Sequence, residues 1–225
     1  MADFAKYHKG TLSLIPETTA LLVIDPQRGY ADPACPGASV AYALGWDVSK
    51  VASSLDHLAL FIEEVRHHID CIVFTQMDES IFNRPKNLPR NPKMNTSLCV
   101  PGTESYEFFK VFPKPGDTVI QKRTMSAFVT SDLDTLLRQK NIDTLLLTGA
   151  YASRCVNDTA RSAANLGYKT IICEDLIANP PHLEQYTERD LNEIRLGIGF
   201  TVLSKNVLAY FQNEITGIPF IPFKP

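Results

Sequence analysis

The sequence predicts an α/β fold in which a mostly parallel sheet is covered by helices on both faces. Short apolar runs of strand length alternate with segments whose apolar residues recur at helical spacing. This alternation is typical of parallel strands joined by crossover helices. The chain has 225 residues, enough to bury one large core, and contains no internal repeat, low-complexity tract or linker. We therefore expect a single domain over residues 1–225.

Six runs of four or five residues predict the strands. The first is a continuous apolar run that ends at Asp25-Pro26, as expected of a buried strand followed by a loop. The third leads directly into Lys122, and the fourth ends just before Gly149. The predicted strands are residues 20–24, 71–75, 118–121, 144–148, 169–173 and 200–203.

Helical spacing and capping signals predict the helices between these strands. Ser131 is a candidate N-cap, Gly167 is a candidate C-cap, and Thr187-x-x-Asp190 resembles a capping box. The Pro- and Asn-rich stretch 76–116 predicts a long loop, a feature that is usually functional in a compact domain. The predicted helices are roughly 48–67, a short one near 104–109, one after Ser131, one from Cys155 to Gly167, and 191–196.

Composition argues against several classes of partner. The 22 basic and 25 acidic residues give a net charge of −3 with no basic run, which disfavours nucleic acid and anionic membrane surfaces. No apolar stretch approaches the length of a membrane span, and the N-terminus is polar, so we expect a cytoplasmic protein that acts on a small molecule. The five cysteines include no C-x-x-C pair and predict neither a disulfide framework nor a zinc ribbon.

Cys155 is the most informative residue in the chain. It follows the fourth predicted strand by a short turn and stands at the start of a predicted helix. Free N–H groups and the positive end of the helix dipole stabilise a thiolate there, so the pKa of Cys155 is expected below its usual value. A buried, inert thiol is the alternative interpretation of Cys155 taken alone.

Two further residues favour the reactive interpretation. Asp25 immediately follows the first strand, and Lys122 immediately follows the third. Because ligands of open parallel sheets bind beyond the carboxyl ends of the strands, Asp25, Lys122 and Cys155 should meet at one edge. An acid or base, a cation and a nucleophile would then act together.

Three motifs resemble those of the isochorismatase-like cysteine hydrolases over about residues 19–208. They are Ile24-Asp25-Pro26-Gln27-x-x-Tyr30, Lys122-x-x-x-Ser126-Ala127-Phe128, and the run from Thr148-Gly149-Ala150 through Cys155-Val156 to Gly167-Tyr168. The resemblance implies a six-stranded parallel sheet of Rossmann-like topology. It also implies a catalytic triad of Asp25, Lys122 and Cys155.

The implied chemistry is covalent and needs no cofactor. Asp25 would accept the thiol proton, Lys122 would stabilise the thiolate, and Cys155 would attack a carbonyl carbon to form an acyl-enzyme. The resemblance further implies an oxyanion hole made by the backbone N–H groups of Tyr151 and Cys155, with a cis Ala150–Tyr151 peptide. Nicotinamidases of this family bind a metal through an Asp-x-His segment after the second strand. Here that segment reads Met77-Asp78-Glu79-Ser80, so we expect no metal site.

Several alternatives stay open at this point. The isochorismatases proper hydrolyse a vinyl ether, releasing pyruvate, and lack the cysteine; the retained Cys155 favours hydrolysis of a small amide or ureido C–N bond instead. A catalytically idle member that binds a metabolite is a third possibility, although no triad residue is lost. A Cys–His–Asp arrangement using His182 would leave Lys122 unexplained.

Substrate-binding residues are predicted from position alone, and a homo-oligomer, a dimer or a tetramer, is expected. The candidate pocket-lining residues are Gln27, Tyr30, Phe128, Tyr151 and Asn179. Cations in the long loop that are candidates to meet a substrate carboxylate are Arg84, Lys86, Arg90 and Lys93. Arg154 is expected to point away along its helix.

Overall fold

A computed structural model describes residues 10–36, 39–81 and 98–224. Strands and helices alternate through most of these residues, as the sequence predicts. The strands are β1 (Thr11–Leu12), β2 (Thr19–Ile24), β3 (Cys71–Met77), β4 (Thr118–Lys122), β5 (Thr144–Ala150), β6 (Lys169–Ala178), β7 (Phe200–Val202) and β8 (Ile218–Pro219). The helices are α1 (Arg28–Ala31), α2 (Val40–Leu44), α3 (Ser49–Val65), α4 (Leu133–Gln139), α5 (Asn157–Asn165), α6 (Pro181–Gly197) and α7 (Ser204–Phe211).

Six of the strands form one sheet in the order β4-β3-β2-β5-β6-β7, and every neighbouring pair is parallel. The predicted six-stranded parallel sheet is therefore confirmed. From β2 the chain builds outward through β3 to β4, then returns to place β5 on the other side of β2. The strand order reverses between β2 and β5, which is where ligands bind in open α/β sheets. A two-stranded antiparallel pair of β1 and β8, not predicted from the sequence, lies apart from the main sheet.

Helices cover both faces of the sheet, as expected. Apolar side chains of α3 and α7 pack on one face, and those of α4, α5 and most of α6 pack on the other, with Leu183 of α6 joining the first cluster. All six residues of β2 and all seven of β3 and β5 are buried, which explains why these strands read as apolar runs without alternation. Gly167 follows α5 with φ +88°, as predicted for a C-cap.

Two element boundaries differ from the predictions by five residues or more. Strand β6 continues to Ala178, five residues past its predicted end, because its pairing with β5 resumes at Ile177 after an irregularity that contains Glu174 and Asp175. Helix α6 begins at Pro181, where proline fits the first helical position. The predicted capping box at Thr187 is therefore wrong, since Thr187 lies inside this helix.

Within the described ranges, no helix is both long enough and apolar enough to cross a membrane. The predicted short helix near 104–109 is a single 3-10 turn at Glu104–Tyr106. The loop cations Arg84, Lys86, Arg90 and Lys93 lie outside the described residues.

Candidate active site

Asp25 lies at the carboxyl end of β2, next to the point where the strand order reverses. Its φ is +48°, in the left-handed region that Asp tolerates better than most side chains. Thr75 of β3 holds both the side chain and the backbone of Asp25. Thr75 Oγ1 donates to Asp25 Oδ1 at 2.6 Å and accepts the Asp25 N–H at 3.1 Å. The carboxylate is thus held in one orientation at a fully buried position.

Lys122 is the last residue of β4, at the edge of the sheet. Its side chain crosses the end of β3 and reaches Asp25, with Nζ 2.8 Å from Oδ2. The same Nζ donates to the backbone carbonyls of Thr124 (3.0 Å) and Met125 (3.2 Å), and to Cys155 Sγ at 3.3 Å. The Lys122 side chain is fully buried, so these contacts replace all of its water. Asp25, Lys122 and Cys155 therefore converge as predicted.

Cys155 lies in a π-helical turn, Ala152–Val156, rather than in the first turn of an α-helix. The Val156 N–H reaches back five residues to the Tyr151 carbonyl at 3.3 Å, and α5 begins only at Asn157. Insertions of this kind are frequent at functional sites. Cys155 is half-buried, whereas the other four cysteines are buried.

The electrostatics of the site contradict the expected low thiol pKa. Burial raises the pKa of Cys155 to about 12; the Lys122 charge opposes this effect, and the Asp25 carboxylate reinforces it. Helix-start arguments predicted the opposite direction because they omit burial and the nearby carboxylate. These surroundings therefore favour the neutral thiol of Cys155 when no substrate is bound. Burial alone would lower the pKa of Lys122, but Asp25 and Cys155 together raise it, so Lys122 stays charged.

Close backbone packing positions the turn that carries Cys155. Gly149 has φ +104°, and a Cβ there would lie 2.2 Å from the carbonyl oxygen of Ile24, so only glycine lets β5 end beside Asp25. The next peptide, Ala150–Tyr151, is cis, as the family resemblance implied. In the described parts of the chain, no hydrogen bond uses the Tyr151 N–H.

The loop after Lys122 is tied to the helix after Cys155. Thr159 Oγ1 accepts the Ala127 N–H at 3.1 Å, and Ser126 Oγ lies 2.7 Å from Ser162 Oγ. Because this loop supplies the carbonyls that hold Lys122, these two bonds fix the cation and the thiol relative to each other. This accounts for Ser126 and Ala127 in the second sequence motif.

Aromatic side chains line one side of the site. The rings of Tyr30 and Tyr151 meet edge to face at 5.9 Å between centroids, and the Tyr151 hydroxyl donates to the Tyr30 carbonyl at 2.8 Å. Trp46 continues the row, 6.4 Å from Tyr151 and 4.0 Å from the exposed His182. We call these four residues the aromatic wall. Trp46 was missed from the sequence, although it is the chain's one tryptophan and follows the first strand in a segment of unassigned structure.

Three of the predicted pocket residues have other roles. Gln27 is fully buried. Its Nε2 donates to the carbonyls of Met77 and Tyr106, and its Oε1 accepts the Met77 N–H, so no donor is left for a substrate. Phe128 packs on Tyr168. Because Tyr168 directly precedes β6, it lies toward the amino ends of the strands, opposite the end that carries the site. Position relative to a strand end does not reveal where a side chain points, and these two predictions fail for that reason.

Asn179 is the third of these residues, and it supports the Cys155 turn. It follows β6, its Oδ1 accepts the Ser153 N–H at 3.2 Å, and its Nδ2 lies 2.8 Å from Ser153 Oγ. The same Nδ2 contacts Thr187 Oγ1 at 2.9 Å and the Leu183 carbonyl at 3.3 Å. Asn179 therefore links the turn to α6 and is not free to bind a ligand.

The described residues contain no group of three or more His, Cys, Asp or Glu arranged to hold a metal ion. His182, at the start of α6, packs against the Trp46 ring at a tilt of 50°, while Cys155 Sγ accepts a hydrogen bond from Lys122. Nothing in this arrangement supports a Cys–His–Asp site built on His182.

Comparison with known proteins agrees with this geometry. The Isochorismatase domain model matches residues 19–203. The ureidoacrylate amidohydrolase RutB from Cronobacter turicensis is 30% identical, and the match covers 77% of this chain and 81% of RutB. RutB from Methylorubrum extorquens is also 30% identical, over 78% of this chain and 76% of its own length.

Solved structures of similar fold include a cysteine hydrolase from Pseudomonas syringae pv. phaseolicola, with TM-score 0.74 and 18% identity over 92% of this chain and 99% of that one. An isochorismatase-like hydrolase from Alkaliphilus metalliredigens has a TM-score of 0.64 and 25% sequence identity, and the match covers 88% of this chain and 99% of that one. The match to the domain model spans all six strands of the main sheet and includes Asp25, Lys122 and Cys155. This chain belongs to the isochorismatase domain family.

Proposed function

We propose that this protein is a hydrolase that cleaves a small amide or ureido C–N bond, other than a peptide bond, through Cys155, Asp25 and Lys122. The observation that carries the proposal is the position of Lys122 Nζ, 2.8 Å from the Asp25 carboxylate and 3.3 Å from Cys155 Sγ. The similarity to ureidoacrylate amidohydrolases supports the class of bond.

In the first step Cys155 loses its proton as it attacks. Because burial holds the thiol neutral, the proton moves to Asp25 while Sγ bonds the substrate carbonyl carbon. Lys122 remains protonated throughout and balances the negative charge, which passes from the carboxylate to the tetrahedral intermediate. The Asp25 carboxylate is suited to this transfer because Thr75 fixes it beside the ammonium group.

In the second step the intermediate collapses. The backbone N–H groups of Tyr151 and Cys155 stabilise the developing oxyanion, in keeping with the unused Tyr151 N–H. The C–N bond breaks, and the leaving nitrogen takes the proton held by Asp25. Water then attacks the acyl-enzyme with Asp25 as general base, and the thiol of Cys155 is restored.

Vinyl ether hydrolysis is the runner-up, and it would need only a proton donor. A thiol that contacts Lys122 has no part in that reaction, so the position of Cys155 favours C–N cleavage. The contact of Cys155 with the Asp25–Lys122 pair favours a catalytic role over a catalytically idle metabolite-binding protein.

A panel of small amides, ureido acids and isochorismate tests the proposal. Ammonia release measures C–N cleavage of amides and ureido compounds, and pyruvate release measures vinyl ether cleavage. We expect turnover of a ureido acid or amide; turnover of isochorismate alone would contradict the proposal. We further propose a cytoplasmic homo-oligomer, a dimer or a tetramer, which sedimentation velocity at several concentrations tests.

A further inference from the structure

Trp46 contacts two aromatic side chains that come from different elements of the fold. It lies three residues before α3, and its ring centroid is 6.4 Å from that of Tyr151 and 4.0 Å from that of His182. Tyr151 directly follows β5, and His182 is the second residue of α6, the helix that follows β6. Trp46 therefore joins the segment before α3 to the start of α6, across the carboxyl ends of β5 and β6.

The start of α6 is bonded to the turn that carries the nucleophile. Asn179 follows β6 and holds Ser153 of this turn through two hydrogen bonds. Its Nδ2 also donates to a backbone carbonyl in the first turn of α6, next to His182. Because Tyr151 directly precedes the same turn, both ring contacts of Trp46 lead back to the nucleophile within a few residues. These contacts fix the indole ring beside the site.

The aromatic wall offers ring surfaces to a substrate, because its two tyrosine hydroxyl protons are already used. The Tyr30 hydroxyl donates to Glu79 at 2.8 Å, and the Tyr151 hydroxyl donates to the Tyr30 carbonyl at 2.8 Å. Exposure to solvent increases along the row, since Tyr151 is buried, Trp46 is half-buried and His182 is exposed. Trp46 therefore forms the rim of the site on the side of α6.

We propose that Trp46 limits the size of the substrate group that lies against the aromatic wall while the reactive carbonyl lies at Cys155. The inference rests on the proposed function for the reaction, and it adds the residue that selects substrates by size. A small group lies between the wall and the thiol without moving either. A bulkier group has to displace the indole from Tyr151 and His182, which loses the contacts of both ring pairs.

Alkylation of Cys155 by two reagents with the same reactive group tests this size limit. Iodoacetamide is the small reagent and N-benzyl iodoacetamide the bulky one, and the ratio of their rate constants at one pH does not depend on ionisation of the thiol. We expect Trp46→Ala to raise the ratio of bulky to small by roughly 10-fold or more, the scale of relieving a side-chain clash in a packed site. Trp46→Leu should raise it by less, and this variant keeps an apolar side chain against the core should Trp46→Ala not fold.

Lys50→Met is the matched control. Lys50 pairs with Glu184 and so links the start of α3 to the start of α6, as Trp46 and His182 do, but at exposed positions and without a ring. Loss of this ion pair should leave the ratio at its wild-type value. A ratio that the Trp46 variants leave unchanged, or that Lys50→Met raises equally, would overturn the size limit. Labelling of the buried Cys99 in the Trp46 variants would also overturn it, since the effect would then be a general loosening.

Steady-state kinetics separate the size limit from the proposed reaction. The ratio of kcat/KM for phenylacetamide to kcat/KM for acetamide should rise in Trp46→Ala by a factor similar to that for labelling. If no amide or ureido compound is cleaved but the labelling ratio depends on Trp46, the proposed reaction is wrong and the size limit stands. If amides are cleaved and neither ratio responds to Trp46, the size limit is wrong and the reaction stands.

Discussion

Lys122 Nζ lies 2.8 Å from Oδ2 of Asp25, and neither side chain is exposed to solvent. Lys122 comes from the edge strand β4 and Asp25 from β2, two strands inward, so the pair joins the carboxyl ends of both strands above β3. Removing one partner of a buried pair leaves an uncompensated charge, which destabilises proteins strongly. Catalysis and stability therefore depend on the same contact.

Lys122→Met should reduce both activity and stability. We expect the chemical step to slow by roughly 10²-fold or more, the scale of losing one charged transition-state stabiliser. The free energy of unfolding should fall by about 3–5 kcal/mol, because Asp25 is left buried and unpaired. Single-turnover kinetics and urea denaturation at neutral pH measure the two effects.

A double variant separates these effects. Asp25→Asn combined with Lys122→Met removes both charges, so most of the lost stability should return while activity stays absent. Lys122→Met enzyme with wild-type stability would contradict the buried ion pair. Activity recovered in the double variant would contradict its catalytic role.

The sequence was sufficient to place these residues but not to describe their surroundings. Asp25, Lys122 and Cys155 follow or end apolar runs, and parallel strands bring such positions to one edge of the sheet. The contact of Thr75 with Asp25 depends on the register of β3 against β2, which the apolar runs do not encode. The π-helical turn at Cys155 has the same apolar pattern as an α-helix and could not be distinguished from one.

The ionisation of Cys155 gives a second prediction. Because burial raises its pKa to about 12, the thiol is neutral at pH 7, and the thiolate fraction should grow about tenfold per pH unit through the alkaline range. Iodoacetamide labelling followed by peptide mapping, between pH 7 and 10, should show this slope without a plateau. Cys155 should still label before Cys35 and Cys99, since those two side chains are almost fully buried.

Asp25→Asn provides the control for this titration. The Asp25 charge raises the pKa of Cys155, so its removal should shift the labelling profile to lower pH. A plateau below pH 8 in the wild-type enzyme would instead support a thiolate already stabilised in the resting state. Labelling of Cys99 ahead of Cys155 would contradict the accessibility of the site.

Asn179→Ala should loosen the turn that carries the nucleophile. The change removes both bonds to Ser153, and we expect the free energy of unfolding to fall by about 1–3 kcal/mol together with kcat. Thr187→Val is the control, since it removes one acceptor of the same amide but leaves Ser153 held. Equal losses of kcat in both variants would show that Asn179 acts through α6 and not through the turn.

Activity should not depend on a divalent metal, because the proposed mechanism uses Lys122 as its only cation at the reacting atoms. Turnover is measured before and after exhaustive chelation, with zinc or manganese added back to a second sample. Unchanged turnover is expected. Loss with EDTA and recovery with either metal would contradict this prediction.

The most direct test is Cys155→Ala, assayed for C–N and for vinyl ether cleavage in the same preparation. The variant keeps Asp25 and Lys122 but cannot form an acyl-enzyme, so release of ammonia from amide or ureido substrates should fall to nearly nothing. Thermal unfolding would verify that the fold is retained. A Cys155→Ala enzyme that releases pyruvate from isochorismate at the wild-type rate would contradict the account.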